Sequence, residues 1–413
     1  MKRHPLLPIF LIVLVDVLGL TIILRLLPFY AQRLGASPTE VGLLISVFAL
    51  CSLFSGPLLG RWSDRIGRKP LLLLSQVGTL AGFLILGSAQ VLWVAFLGRI
   101  IDGLTAGNLS LAQAYIADVT EPKNRARAFA LIGIAFGFGF LVGPAMSGFL
   151  STYGYHVPFL VAAGLSLTSI LATAFLLPGG KPARAEGQQV GSPGPAGRRL
   201  SLLAWGEYAQ YFRRPELAPL LLQFFCFSFA FAAFTGGLAL FCERRLFWHG
   251  RPFGPEQVGY VFAYAGLLGV ILQGGFIGRL VRRFGETALV TAGFLTATAG
   301  YVVLSATFGI PLLVLAGTFA SFGNGVLRPT LTSLITQQVG TGEQGVVLGL
   351  NQSLFSVAQI LGPTLAGFLI DKGQLTLWAL ASALIAGVGL AVNRVVPRPR
   401  SATAPQAAPG AGP

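Results

Sequence analysis

Residues Gly60-Arg61-Trp62-Ser63-Asp64-Arg65-Ile66-Gly67-Arg68-Lys69-Pro70 place five charges in eleven positions, in a 413-residue chain of which only 10% is charged. Long apolar runs flank the stretch on both sides, at about 40–60 and 71–89. A short basic turn between two runs of bilayer-crossing length reads as the loop of a helical hairpin in a membrane.

Composition agrees with a membrane setting. The chain is 54% hydrophobic with 54 glycines, and its mean hydropathy is +0.73. A soluble core cannot hide that much apolar surface, so a soluble enzyme is excluded. The net charge of +15 does not mark a nucleic-acid binder, because the basic residues sit in short clusters between apolar runs. Cys51, Cys226 and Cys242 show no CxxC spacing, and His4, His156 and His249 are scattered, so neither a disulfide framework nor a metal site is expected. No GxxxxGK[ST] loop occurs, and no nucleotide or other cofactor is expected. Lys2 and Arg3 precede an apolar run that is long enough to span and lacks a small-residue cleavage site, which makes it a first transmembrane helix and not a signal peptide.

At about twenty residues per crossing, spans fall at 8–29, 40–60, 71–89, 91–117, 126–150, 157–177, 217–241, 255–278, 287–308, 310–336, 344–370 and 373–393. An even number puts both termini on one side. Of the 29 Lys and Arg residues, 21 lie on the side of the 60s hairpin, five opposite and three within spans, so the positive-inside rule makes the termini cytoplasmic. The segment after Pro178 turns to Gly, Pro, Ala and Arg. The expected organisation is a six-helix bundle at 1–178, a cytoplasmic linker at 179–216, a second six-helix bundle at 217–396 and a disordered tail at 397–413. Within the linker, Trp205, Tyr208 and Phe212 recur at helical spacing beside Arg213 and Arg214, which suits a helix on the membrane surface or an ordinary interfacial anchor.

The halves echo each other. Gly60-Arg61 and Gly67 recur as Gly278-Arg279 and Gly285 at an offset of 218, and Gly143-Pro144 with Gly148-Phe149-Leu150 recurs as Gly362-Pro363 with Gly367-Phe368-Leu369 at 219. Near-constant offsets imply a duplicated bundle, with a substrate cavity at the interface and alternating access by rocking of the halves.

These residues resemble the signatures of the major facilitator superfamily, and the resemblance covers nearly the whole chain. Gly60, Asp64, Arg65, Gly67, Arg68 and Lys69 look like motif A, which in relatives latches the halves together on the cytoplasmic side in the outward-open state. Gly98-Arg99-Ile100-Ile101-Asp102-Gly103 is similar to motif B, whose arginine is tied to proton coupling in relatives; a purely structural Arg99–Asp102 ion pair competes with that reading. Gly139, Gly143, Pro144 and Gly148 resemble motif C of the twelve- and fourteen-span antiporters, with Ser147 replacing a usual glycine, and close helix packing alone is the competing explanation. Asp16-Val17-Leu18-Gly19, Pro28-Phe29-Tyr30 and Tyr115-Ile116-Ala117-Asp118 resemble the tetracycline-resistance branch of twelve-span drug:proton antiporters.

The resemblance implies a major facilitator fold of twelve transmembrane helices in two pseudo-symmetric bundles. It makes Asp16 the first choice for the proton-carrying carboxylate, with Arg99 and Asp102 tuning it. Burial disfavours a charged carboxylate and a nearby arginine favours it, so alternating exposure can load and unload a proton. At 1.5 Å per residue, Asp16 lies about 18 Å from the outer edge, Asp102 about 17 Å and Arg99 about 12 Å, within reach of an arginine side chain. Arg25 departs from the branch, which usually has proline there. It lies two and a half turns from Asp16, on the opposite face, and is expected to snorkel to the outer interface or to select an anionic group at the cavity mouth. Arg328 is expected to snorkel inward.

Tetracycline exporters carry acids in spans three and nine, where this chain has Gly82 and Ala297, so a magnesium chelate is poorly served. The second half has no acid within a span as read. Its polar candidates are Gln223, Tyr260, Tyr264, Gln273, Asn324, Asn351 and Gln352, joined by Arg25, Asn108 and Gln113 from the first half, and interhelical hydrogen bonding competes with ligand binding at most of them. The chain reads as a proton-coupled exporter of amphipathic small molecules in the inner membrane, with protons, substrate and lipid as its partners, no nucleic acid, and a monomeric state implied by the resemblance. A proton symporter or facilitator for a metabolite and a lipid flippase are the alternatives.

Overall fold

The computed structural model describes residues 6–120, 125–177, 210–340 and 343–393. Most of the expected linker, including Trp205 and Tyr208, and the tail at 397–413 lie outside the described residues.

The chain folds into α1 (Leu6–Arg33), α2 (Pro38–Ile66), α3 (Arg68–Ser88), α4 (Leu92–Leu104), α5 (Asn108–Val119), α6 (Arg125–Ser151) and α7 (Val157–Leu176), then α8 (Ala218–Arg245) and α9 (Pro255–Ile271). A π turn at Leu272–Phe276 joins α9 to α10 (Ile277–Phe284), followed by α11 (Glu286–Ser305), α12 (Ile310–Gln337), α13 (Gln344–Asp371) and α14 (Leu375–Val392). A two-stranded ribbon, β1 (Phe247–Trp248) and β2 (Arg251–Pro252), links α8 to α9. Its turn needs positive φ at His249 and Gly250, as a type I′ hairpin does.

Among the described residues, eleven stretches are long and apolar enough to cross a membrane, with α9 and α10 counted as one. The twelfth expected crossing, 91–117, is not one helix but two, α4 and α5, broken at Thr105-Ala106-Gly107. A break inside a bilayer leaves backbone groups that protein must satisfy. Ser75 on α3 does so, accepting from the Gly107 N–H at 2.9 Å and donating to the Thr105 carbonyl.

The crossings form two six-helix bundles related by a duplicated joint. In the first half, α6 lays Pro144 and Gly148 against α9, so that a Cβ on Gly259 would sit 2.6 Å from the Pro144 carbonyl oxygen and one on Gly148 would sit 3.0 Å from Glu256 Cα. In the second half, α13 lays Pro363 and Gly367 against α2 in the same way, the Pro363 carbonyl on Gly42 and Gly367 on the Pro38 carbonyl. Small residues allow this backbone-to-backbone approach. The receiving helices repeat too: Ser37-Pro38-Thr39-Glu40-Val41-Gly42 and Gly254-Pro255-Glu256-Gln257-Val258-Gly259 both start with proline and a capping side chain at the third helical position. Glu40 Oε2 accepts from the Ser37 N–H at 2.7 Å and Gln257 Oε1 from the Gly254 N–H at 2.9 Å. That second echo is legible in the sequence once the joint is known.

The core shows which end of the molecule is shut. On the side away from the Gly60–Pro70 hairpin, one continuous apolar cluster takes Leu26, Leu27, Phe29 and Tyr30 from α1 together with Leu238, Phe241, Val258 and Phe262 from the second half. On the hairpin side the halves have separate cores, one built on Ile12, Val13, Leu59 and Leu72 and another on Leu221, Phe224, Leu331 and Ile335. Glycines of the joint helices on that side, Gly60, Gly133, Gly274, Gly275 and Gly349, would meet nothing within 4 Å if given a Cβ. The bundles touch at the far side and splay apart toward the hairpin, leaving a cleft open at one end.

Candidate functional site

Five helices of the first bundle converge on a buried polar cluster. On α3, Gln76 is fully buried and donates from Nε2 to Ser169 Oγ on α7 at 2.8 Å, while Ser166 Oγ donates to the Gln76 carbonyl at 3.3 Å. On α4, Arg99 Nη1 pairs with Asp102 Oδ2 at 3.3 Å, and both side chains are all but excluded from solvent. The Arg99 guanidinium also lies over the Phe48 ring of α2, 4.2 Å from its centroid, and its Nε and Nη2 have no partner. Asp16 enters from α1 beside Ser169 and within Coulombic reach of Asp102. It is half-buried, with Oδ1 sealed and unpartnered.

The expected Asp16–Arg99 bridge therefore does not form in this state. Arg99 sits one turn along α4 from Asp102, and the shared helical face favours the local i,i+3 pair. Asp16 faces a hydroxyl and a second carboxyl instead. Gln76, Ser166 and Ser169 were not expected at the site; the signal for them was the one amide side chain in span 71–89 and the run of hydroxyls in span 157–177.

Gly82 and Ala297 occupy helix crossings with no spare volume. A Cβ on Gly82 would lie 2.8 Å from Asp102 Cβ and 2.9 Å from the Gly98 carbonyl oxygen, and a Cβ on Gly323 would lie 2.8 Å from Ala297 Cβ. A carboxylate at either position would push α3 from α4, or α11 from α12.

The motif C residues of α6 serve two neighbours. Gly139 and Gly143 accommodate Val17 and Thr21 of α1, and Thr21 Oγ1 donates to the Gly139 carbonyl at 3.0 Å, while Pro144 and Gly148 face α9. The counterpart face of α13 meets α8, where a Cβ on Gly362 would lie 2.6 Å from the Ala233 nitrogen.

A chain with two such bundles, a duplicated joint and a one-sided cleft matches the family model described as Major Facilitator Superfamily over residues 9–363, and again over 254–412. The chain belongs to the major facilitator superfamily. It is a multi-pass membrane transporter. It is 30% identical over 408 residues to the class D tetracycline resistance protein of Salmonella ordonez, covering 94% of this chain and 96% of that one. It is 27% identical over 368 residues to multidrug resistance protein 2 of Bacillus subtilis (strain 168), covering 88% of this chain and 89% of that one. In fold it is similar to the crystal structure of the peptide transporter POT in complex with sulfate, with a TM-score of 0.75, 15% identity, and coverage of 95% of this chain and 96% of that chain.

Within this superfamily fold the motif A residues lie on the hairpin side and bond within their own bundle. Gly67 ends α2 at φ +112°, a conformation glycine adopts without strain. Arg68 Nε meets Asp118 Oδ2 on α5 at 2.8 Å and its Nη1 donates to Ser63 Oγ. Lys69 Nζ donates to the last carbonyls of α7, Ala174 at 2.7 Å and Leu177 at 2.8 Å, where a cation also complements the helix dipole. Arg65 is exposed and Gly60 is uncrowded; the side chain of Asp64 lies outside what the structure describes.

The cavity candidates separate into groups. Gln223 is not at the cavity: it is fully buried in the second bundle and donates to the Gly389 carbonyl at 3.2 Å. Tyr264 pairs with Thr318 at 2.8 Å and Tyr301 donates to Asn324 at 3.1 Å, so both candidates tie helices together. Tyr260 is exposed and donates to Glu256 of its own helix at 3.0 Å. Gln113, Gln273 and Gln352 are exposed, Gln273 within the π turn. Asn108, one residue past the break in crossing four, has its Oδ1 sealed and unpartnered, and Asn351 has both side-chain polar atoms so.

Arg25 and Arg328 both stack on aromatic rings. Arg25 packs over Phe262 of α9 at 3.6 Å from the ring centroid, and Arg328 turns onto Phe355 of α13 at 4.9 Å. In both cases an aromatic face on a neighbouring helix holds the guanidinium. The second half does carry acids within its spans: Glu256 lies in the first turn of α9, inside 255–278, and α8 extends to Arg245 and includes half-buried Glu243, which engages Gln32 of α1.

Proposed function

We propose that the chain is a proton-coupled exporter of amphipathic organic compounds. It works as an antiporter by alternating access in the inner membrane, with the hairpin side and both termini in the cytoplasm. The residues 1–178 and 217–396 rock as two bodies about the far-side joint, and one copy suffices because the cleft lies within a single chain.

The half-buried Asp16 carries this reading. It is an acid placed deep in a membrane bundle, with one oxygen unpartnered and hydroxyl and carboxyl neighbours, beside a cleft open to one side. An intramembrane acid is costly and is kept for ion or proton work by default. In the cycle it holds a proton taken from one side and gives it up on the other, and substrate occupies the cleft in the intervening state. The relatives with drug-resistance names support export of organic molecules. A magnesium chelate is disfavoured as substrate because Gly82 and Ala297 leave no room for oxygen ligands. Motif A acts as a latch in the opposite state; with the cleft open, Arg68 and Lys69 stay on Asp118 and α7.

The test is proteoliposomes with an acidic lumen. Substrate accumulation driven by proton efflux is expected, falling by about tenfold or more in Asp16→Asn, or about 1.4 kcal/mol of barrier. Proton movement at the wild-type rate in Asp16→Asn would overturn the role of that residue.

A further inference from the structure

We propose that Arg25 is the receptor for the acidic head of an amphipathic organic anion. This inference rests on the transport reading above and names the substrate class for the same cleft.

The guanidinium of Arg25 lies on Phe262, so its flat face is covered and its edge is left to act. Nε is sealed without a partner, while the terminal nitrogens remain accessible and make no hydrogen bond. Among the described residues, no carboxylate forms an ion pair with it. Asp102 is held by Arg99, and Glu243 reaches Gln32, seven residues further along α1. Asp16 lies on another face of the helix.

The accessible edge is assigned to the cleft, because the far side is closed to it. Beyond Arg25 toward the far side, Leu26, Phe29 and Tyr30 join Phe241 and Val258 in the continuous core that seals the halves. Arg25 thus stands where the cleft ends, a fixed charge with donors in a planar fork and no internal acceptor. A fork of this geometry fits a carboxylate, sulfonate or phosphate. Arg328, exposed and stacked on Phe355, adds a second cation within the second half and again pairs with no described acid. Stacking on a phenyl ring keeps the charge without neutralising it. An apolar body in the cleft with an anionic head at Arg25 satisfies the orphaned donors, whereas a cationic head would be repelled.

The test uses the purified full chain in detergent and a matched set of naphthyl-alkyl probes that differ only in the head: sulfonate, carboxamide or trimethylammonium. Calorimetry is expected to show the sulfonate binding at least about tenfold tighter than the other two. Arg25→Gln should erase that preference, and Arg25→Lys should keep part of it. Equal affinity for the three heads in the wild-type protein overturns the proposal, as does an undiminished sulfonate preference in folded Arg25→Gln. If Arg25→Gln does not fold, the wild-type ranking decides alone. Proton-driven flux that persists with no head preference sinks only the anion assignment; a head preference without proton-driven flux leaves it standing and sinks the coupling.

Discussion

The two bundles share a packing scheme but not a charge pattern. Each presents a Gly-Pro-x-x-x-Gly face, Gly143 to Gly148 in one and Gly362 to Gly367 in the other, to a proline-initiated helix of its partner. Yet the first bundle holds Arg99 and Asp102 buried beside half-buried Asp16, while the second carries the neutral pairs Tyr301–Asn324, Tyr264–Thr318 and Gln223–Gly389. In the proposed cycle the joint closes and opens the same way on both sides of a pseudo-two-fold axis, which accounts for its repeated geometry. The proposed proton exchange needs one site only, which accounts for the unrepeated charges.

The sharpest way to break that comparison is to disturb the charges. Asp102→Leu leaves Arg99 buried without its partner and is expected to destabilise the protein by about 3–5 kcal/mol, read from thermal unfolding in detergent. Arg99→Met combined with Asp102→Leu should recover most of that loss. If the double variant also transports at the wild-type rate, the pair is a structural device and the contrast between the bundles is one of packing alone.

Next in size are the joints. Alanine at Gly259 or at Gly42 puts a methyl group against a proline carbonyl and should cost about 1–3 kcal/mol at each site. Near-equal costs would sharpen the claim of a duplicated joint. A loss at one site with none at the other would break it.

The smallest effect belongs to a surface pair found in the second half. Arg214 grips Glu343 with two hydrogen bonds of 2.9 and 2.8 Å just ahead of α13. The hydrogen bond from Arg214 holds the Glu343 carboxyl below the usual glutamate range. A depressed value means that the stabilisation is full above the unfolded-state value of about 4.3 and fades as pH falls through the folded one. The pair is partly exposed and screened, so Arg214→Ala should cost no more than about 1 kcal/mol at neutral pH and nothing in acid. A pH-independent loss in unfolding temperature would count against the assignment.

Much of the fold was legible because the membrane leaves little choice. Runs of apolar residues must become helices there, and the clustering of 26 of the 29 basic residues between the runs orders them in the two-bundle pattern. Less of the site was legible. Gln223, Tyr264 and Asn324 read as cavity residues because a polar side chain in a span looks the same whether it faces a neighbouring helix or a cavity. Arg25 read as snorkelling or as selecting an anionic group, and Arg328 as snorkelling, because depth can be counted along the chain, whereas their stacking on Phe262 and Phe355 cannot.

The sequence by itself determined the order of the long apolar crossings, the duplication and the family, since each rests on composition and spacing along one chain. Tertiary structure alone decided that crossing four breaks at Thr105–Gly107, that Arg99 binds Asp102 in preference to Asp16, and that Arg25 lies on Phe262 with its Nε unpartnered. Those outcomes depend on which helical faces meet, and facing is a property of packed backbones that a linear pattern does not carry.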